Sequence, residues 1–476
     1  LAHEAARLAH GLFSRLGVGH VRAFRLGTAA LAAVLSALLL LAGHALGGAG
    51  GAVLAPLLFW LVPRHLHAGL VATPDLAAAA LWLASAWAYR RAARATGAAE
   101  QRTAAAAAGL LFGATLLARA DAWILLAALG LHALLAPRVS PRAAGGADAG
   151  DADAGDATAR RRRGGPLAVA AMALLGPAIL VAAWPWLWVN LPARLAAALS
   201  PARTAAEATW HLAGALTAGR HGLLVIALTV PAAILWVSAG GLLLAIAEAV
   251  REALLPGGRR GVETDARDAL LLALCAVAPF AARAAGLAPL GPGVGPWLPA
   301  MPFLALLGAR ALVAAAGAAW SSRRAPLLAA LSVLVLWPAL RQTVHAFPAG
   351  TSAWNELAGG APGAASRGLR RQEGGEAAAA VLETLNARAR PGARVWWPTT
   401  GPEALSAWVR DGRLRADLLR ADGPEGADVA VVALDGASRD DEYRIWAAFR
   451  TARPSAGAYL DEVPLVLVYA RSGAWQ

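Results

Sequence analysis

The chain has 476 residues, of which 58% are hydrophobic and 15% charged, and its mean hydropathy is +0.52. Soluble globular domains carry about a quarter charged residues, so the composition excludes an ordinary soluble enzyme and points to an integral membrane protein. The net charge of +13 comes wholly from arginine, with no lysine anywhere; the arginines lie in short loops between apolar runs, which suits topology signals rather than a nucleic-acid surface.

In residues 1–22, Leu1, Ala5, Leu8, Leu12, Phe13 and Leu16 recur at helical spacing. They predict a short amphipathic helix, lying either in the membrane interface or on a protein surface. Apolar segments follow at 24–47, 48–63, 75–92, 104–119, 121–136, 166–189, 222–249, 268–288, 297–317 and 325–346. A full crossing takes about 20 residues, so these predict about ten transmembrane helices. Gly-rich 47–51 reads as a tight turn between the first two, and only Arg119 and Asp121 interrupt 104–136. The loop 143–165, acidic and then basic, has the low-complexity composition of a disordered linker. Cys275, the single cysteine, falls inside an apolar segment, so an intrachain disulfide or thiolate metal site is excluded.

After Phe347 the composition turns mixed and charged. Strand-like runs (RVWWP, DVAVVAL, VPLVLVYA) alternate with helix-like stretches near Glu376–Arg388, Glu403–Val409 and Asp440–Arg450. The fold expected is therefore an α-helical polytopic membrane domain over 1–350 and a small α/β domain over 351–476.

Loop charges set an orientation. Arg90, Arg91, Arg94 and Arg102 follow the third segment, and Arg138, Arg142 and Arg160–Arg163 the fifth. Arg251, Arg259, Arg260 and Arg267 follow the seventh, and Arg323 and Arg324 the ninth. These loops alternate to one side, which the positive-inside rule makes cytoplasmic. The opposite loops, both chain ends and the α/β domain are then extracytoplasmic, in what reads as a bacterial inner-membrane protein.

One outward loop concentrates chemistry. Leu61–Leu81 joins two apolar runs and holds Arg64, His65, His67 and Asp75 with almost no other polar side chain. Ionisable groups at such a junction are costly in hydrocarbon and mark either a functional cavity or an exposed loop. The pattern PR-H-x-H followed by T-P-D resembles the second outward loop of the GT-C superfamily, in its branch of protein O-mannosyltransferase-like and aminoarabinose-transferase-like enzymes. Four later stretches resemble that family in the same order: GLLFGATLLARADAW (109–123), WPWLWVN (184–190), VGPWLPAMPFLALLGA (294–309) and WNELAGGAPGAASRG (354–368). In the second of these, Asn190 stands at the family's Asp position.

The resemblance implies a membrane glycosyltransferase that moves a sugar from a polyprenyl-phosphate carrier to a glycan, lipid or protein acceptor on the outer face. It implies no nucleic acid partner, names no cofactor beyond the lipid-linked donor, and leaves a divalent metal open, with no metal ligands assigned. Cations should stabilise the charge developing on the phosphate leaving group, which makes Arg64 and Arg119 the candidates. Asp75 would orient hydroxyls or cap its helix; Asp121 sits where the family has Asn; His65 and His67 would donate to phosphate or sugar, or serve structurally. Several positions depart from the pattern. Gly295 and Pro296 replace the Arg before L-P, and Glu373–Glu376 (EGGE) replaces Y-W-G-E. The acidic pair of the first outward loop, whose Asp is the family's proposed base, is expected upstream of Leu1. The remaining outward carboxylates before the α/β domain are Glu4, Asp75, Asp121 and Glu207. Two other readings are a catalytically degenerate scaffold and a polytopic transporter or flippase; the latter should show internal repeats and polar groups at mid-membrane, which this sequence lacks.

Overall fold

Hydrocarbon offers the backbone no hydrogen-bond partners, so an apolar chain that enters it satisfies its amides internally as helices. The computed structural model describes residues 2–71, 73–136, 152–199, 218–254, 263–288, 293–318, 321–435 and 439–476. Its membrane part runs α1 (Ala2–Phe13), α2 (His20–Trp60), α3 (Pro63–Ala68), α4 (Pro74–Arg94), α5 (Ala98–Ala118) and α6 (Trp123–Leu135). It continues with α7 (Ala152–Ala183), α8 (Leu191–Leu199), α9 (Ala218–Thr229), α10 (Ala232–Leu254), α11 (Glu263–Ala284), α12 (Met301–Gly317) and α13 (Arg324–Ala346). The protein is an α-helical polytopic membrane protein with a small C-terminal α/β domain.

Among the described residues, five helices are long and apolar enough to cross a membrane: His20–Trp60, Gly164–Ala183, Ala232–Leu254, Gly295–Gly317 and Ser321–Ala346. The expected number of about ten is thus not reached by length and apolarity. The segments at 75–92, 104–119 and 268–288 are helices, but they are alanine-rich and carry charges in their terminal turns. Segment 121–136 yields only the 13-residue α6. The first two segments share α2, yet Gly47 and Gly48 leave helical geometry (Gly48 at φ 59°, ψ −151°). The chain reverses there. Gly43 and Gly51 approach so closely that a Cβ on either would strike the other's carbonyl, and Trp60 Nε1 reaches back to Ser36 Oγ at 2.8 Å. The seventh segment splits between α9 and α10 at Pro231, which cannot donate to a helix ladder.

The linker reading of 143–165 is corrected in its second half, because α7 begins at Ala152. Alanine and arginine are strong helix formers, and aspartates near a helix start complement its dipole. Residues 143–151, the loop arginines Arg138, Arg142, Arg259 and Arg260, residues 200–217 with Glu207, and 289–292 lie outside the described residues.

The helix ends gather into two groups of polar contacts. At one, Asp268 of α11 takes Arg90 Nε and Nη2 at 2.9 and 2.6 Å and Arg94 Nη2 at 2.6 Å. There too, Tyr89 Oη meets His132 Nδ1 at 2.7 Å, and His132 Nε2 meets the Arg267 carbonyl at 3.1 Å. The other end carries Arg64, Asp75, Arg119 and the α/β domain.

That domain contains α14 (Gly360–Ser366), α15 (Leu382–Arg388), β1 (Arg394–Trp396), α16 (Pro402–Arg410), β2 (Leu419–Ala421), β3 (Val429–Ala433), α17 (Arg439–Phe449), β4 (Ala456–Leu460) and β5 (Val463–Ala470). The sheet order is β2-β1-β3-β5-β4, with β1 parallel to β2 and β3, and β5 antiparallel to β3 and β4. All of β3 is buried because alternate residues serve two cores: Val429, Val431 and Ala433 face one, Ala430 and Val432 the other. Several ties fasten the domain to the membrane part, among them two at helix ends. Asp411 accepts the free amides of His20 and Val21 at the start of α2 (Val21 at 2.9 Å), and His345 at the end of α13 meets Asp461 at 2.7 Å.

Candidate active site

Two ion-pair clusters line the joint between the helices and the α/β domain. The first is built on α3. Pro63 at its N1 position starts this one-turn helix, which turns Arg64 and His65 inward and leaves both 3% exposed. Arg64 is held on three sides. Its Nε donates to the Ala353 carbonyl at 3.2 Å, its guanidinium lies 4.7 Å from the Trp354 ring centroid, and its Nη1 pairs with Glu373. Burial lowers its pKa, and the Glu373 carboxylate opposes that shift. His67 pairs with Glu376. His65 stacks on Phe59 at 4.7 Å and donates through Nδ1 to the Phe59 carbonyl at 2.9 Å. Burial pushes its pKa down to about 4, so it is neutral near pH 7, and its Nε2 has no hydrogen-bond partner.

The second cluster is a chain of alternating charges. Arg119, in the extended turn after α5, pairs through Nη1 with Asp75 and through Nε and Nη2 with Asp121 at 3.0 and 2.9 Å. Asp121 also receives Arg283 from α11, whose guanidinium lies 5.2 Å from the Trp297 ring centroid. Burial works against the charge of Arg119, but Asp121 and Asp75 outweigh it and raise its pKa. Burial likewise works against ionisation of Asp121, and Arg119 with Arg283 holds its pKa below the usual carboxylate value. Two arginines face two aspartates, so the cluster is charge-balanced.

One strand of loop joins the clusters. A Cβ on Gly293 would strike the Glu373 carboxylate, and one on Gly295 would strike that of Asp75. Glu373 and Asp75 therefore abut positions two residues apart. The space beside Gly295 is filled by the Asp75 carboxylate, and Arg119 Nη1 lies 3.4 Å from the Gly295 carbonyl. Asn355 locks the joint from behind. Its Nδ2 donates to the Ala227 and Val230 carbonyls at 2.6 Å each, and its backbone amide to Leu228 at 2.9 Å; these are the carbonyls beside the helix break at Pro231. Among the described residues, no three His, Cys, Asp or Glu side chains group as a metal site.

No protein-family model matches this chain, and no curated protein does. It is similar in fold to a solved structure, that of ArnT from Cupriavidus metallidurans in the apo state. The identity is 13%, over 94% of this chain and 84% of that one, with a TM-score of 0.42. A likeness of this degree does not transfer chemistry, because function resides in sites rather than folds.

The structure thus draws Asp75, Arg119 and Asp121 into one network and sets Arg64 and His67 in a neighbouring one. His65 is turned away into the helical core. Asp75 does not cap its helix: the N-cap is Thr73, without a side-chain hydrogen bond, and the Asp75 carboxylate goes to Arg119. With Pro74 at N1, Asp75 falls in the first turn, where the helix dipole favours its charge while its side chain remains free to pair. Glu373 and Glu376 enter the sequence reading only as a departure from Y-W-G-E and Trp354 only within the 354–368 stretch, and Arg283 is absent from it. Arg283 had a signal, being the one arginine in the apolar segment 268–288. The pairing of Glu373 with Arg64 had none, because the two lie 309 residues apart.

Proposed function

We propose that the protein is a membrane glycosyltransferase of the GT-C kind, in which Arg64 binds the phosphate of a polyprenyl-phosphate sugar at the extracytoplasmic face. The observation that carries this is the state of Arg64: a buried cation at the end of the helices, pinned by Ala353 and Trp354, with a single carboxylate on its remaining edge. A fixed cation in a water-poor site is worth most where negative charge develops on a leaving group. Arg119 fits that role less well, since Asp75 and Asp121 already balance it. The isoprenoid tail would stay in the bilayer and the acceptor, whether glycan, lipid or protein, would approach from the domain side.

A second reading has its own observation. A general base must be free to accept a proton from the acceptor hydroxyl, and Asp75, Asp121, Glu373 and Glu376 are all engaged by arginine or histidine. That favours a family member that binds the lipid donor as a scaffold. One experiment separates the two. The purified chain is given a radiolabelled polyprenyl-phosphate sugar, and donor binding and sugar transfer are measured together. Binding lost in Arg64→Gln supports the site; binding without turnover supports the scaffold; wild-type binding by Arg64→Gln removes the site from Arg64.

A further inference from the structure

We propose that Glu373 occupies the anion subsite of Arg64 in the unliganded protein, and that a donor phosphate takes this guanidinium by displacing it, the Gly374–Gly375 turn carrying the carboxylate away. The inference rests on the reading of Arg64 as the phosphate ligand and adds the step by which the site is filled.

Arg64 cannot turn to meet a ligand elsewhere. Its Nε is committed to the Ala353 carbonyl, its face lies over Trp354, and the side chain is 2% exposed. Only the Nη edge remains to bind an anion, and Glu373 is on it. A phosphate arriving there meets the carboxylate of Glu373. Like charges at such range in a partly dry site repel strongly, so phosphate and Glu373 exclude each other.

Of the two partners the glutamate is built to leave. Its side chain is 25% exposed, and it precedes two successive glycines in the left-handed region, Gly374 at φ 72° and Gly375 at φ 68°. Glycine reaches several backbone basins without steric cost, so this turn changes shape more readily than any other pair of residues would. The segment is anchored just upstream, where Gln372 bonds the Leu465 carbonyl, and is closed downstream by the Ala377 amide donating to Gln372 Oε1 at 3.2 Å. The Gly375 carbonyl also accepts the Ala378 amide at 3.2 Å, and a swing of this turn would loosen both closing bonds. Because a neutral lipid brings no charge to exchange, the same device makes the site selective for phosphorylated lipid over the alcohol.

The test uses the full chain in nanodiscs, with undecaprenyl phosphate as probe and undecaprenol as uncharged control. Glu373→Gln should bind the phosphate about tenfold more tightly than wild type, since the competing state is removed, with undecaprenol binding unchanged. In the unaltered protein, hydrogen exchange at the Ala377 amide should quicken when the phosphate is added. Equal or weaker binding by Glu373→Gln, or slower exchange at Ala377, overturns the displacement and makes Glu373 a permanent partner of Arg64. Undiminished binding by Arg64→Gln overturns the phosphate reading itself, and the exchange with it.

Discussion

Arg64 and Arg119 look equivalent in the sequence, each a lone arginine at an outward helix end, and their surroundings separate them. Arg119 ties three chain segments through Asp75 and Asp121, so Arg119→Gln should act on stability. Leaving two part-buried carboxylates to a single arginine costs about 3 kcal/mol, read as a lower Tm in detergent. An Arg119→Gln protein with wild-type Tm and lost donor binding would relocate the phosphate site. His65 gives a pH signature. Its pKa falls from 6.5 to about 4 on folding, so the unfolded chain takes up its proton first as the pH drops. The associated stability is complete above pH 6.5 and is lost as the pH falls toward 4, a change of about 3 kcal/mol. Replacing His65 by Gln should flatten the Tm profile across that window; an unchanged acid slope in His65→Gln would show that other groups cause it.

Among the elements, the hairpin in α2 depends on backbone geometry that only glycine supplies. Gly48 sits at φ 59°, ψ −151°, a region in which a side chain costs on the order of 1–3 kcal/mol. Gly51 has the Gly43 carbonyl where its Cβ would be. Gly51→Ala should therefore destabilise the protein more than Gly50→Ala, whose Cβ would meet only the side chains of Leu328 and Val313. Comparative thermal melts decide it, and equal losses would mean that the arms separate without penalty. At the opposite end, Asp268 is the counter-ion of buried Arg90. Asp268→Asn should lower stability by about 3 kcal/mol while leaving donor binding untouched, because Asp268 pairs with Arg90 and Arg94 at the opposite helix ends.

For the whole molecule the sorting of helix ends becomes a topology. With the arginine loops cytoplasmic, a cysteine at exposed Ser472 should be labelled by an impermeant thiol reagent in intact cells, and one at exposed Ala99 should be protected. The native Cys275 is buried and should not interfere. The reverse pattern would invert the protein in its membrane.

Much of this architecture was legible along the chain. Hydropathy marks helices because the bilayer imposes it locally, residue by residue, and the strand runs of the α/β domain show for the same reason: β3 must be apolar on both faces. What escaped was short or interrupted. The three-residue β2 is too brief to carry a pattern, and the break at Pro231 hid inside an unbroken apolar run. The site was legible in part. Local composition and spacing were enough to give the membrane class and to place Arg64, His67, Asp75, Arg119 and Asp121 at helix ends. Which charges meet is settled by the folded arrangement. Ion pairing depends on distances between segments far apart in the chain, and it is this pairing that balances Arg119 between two carboxylates and gives Arg64 one, Glu373.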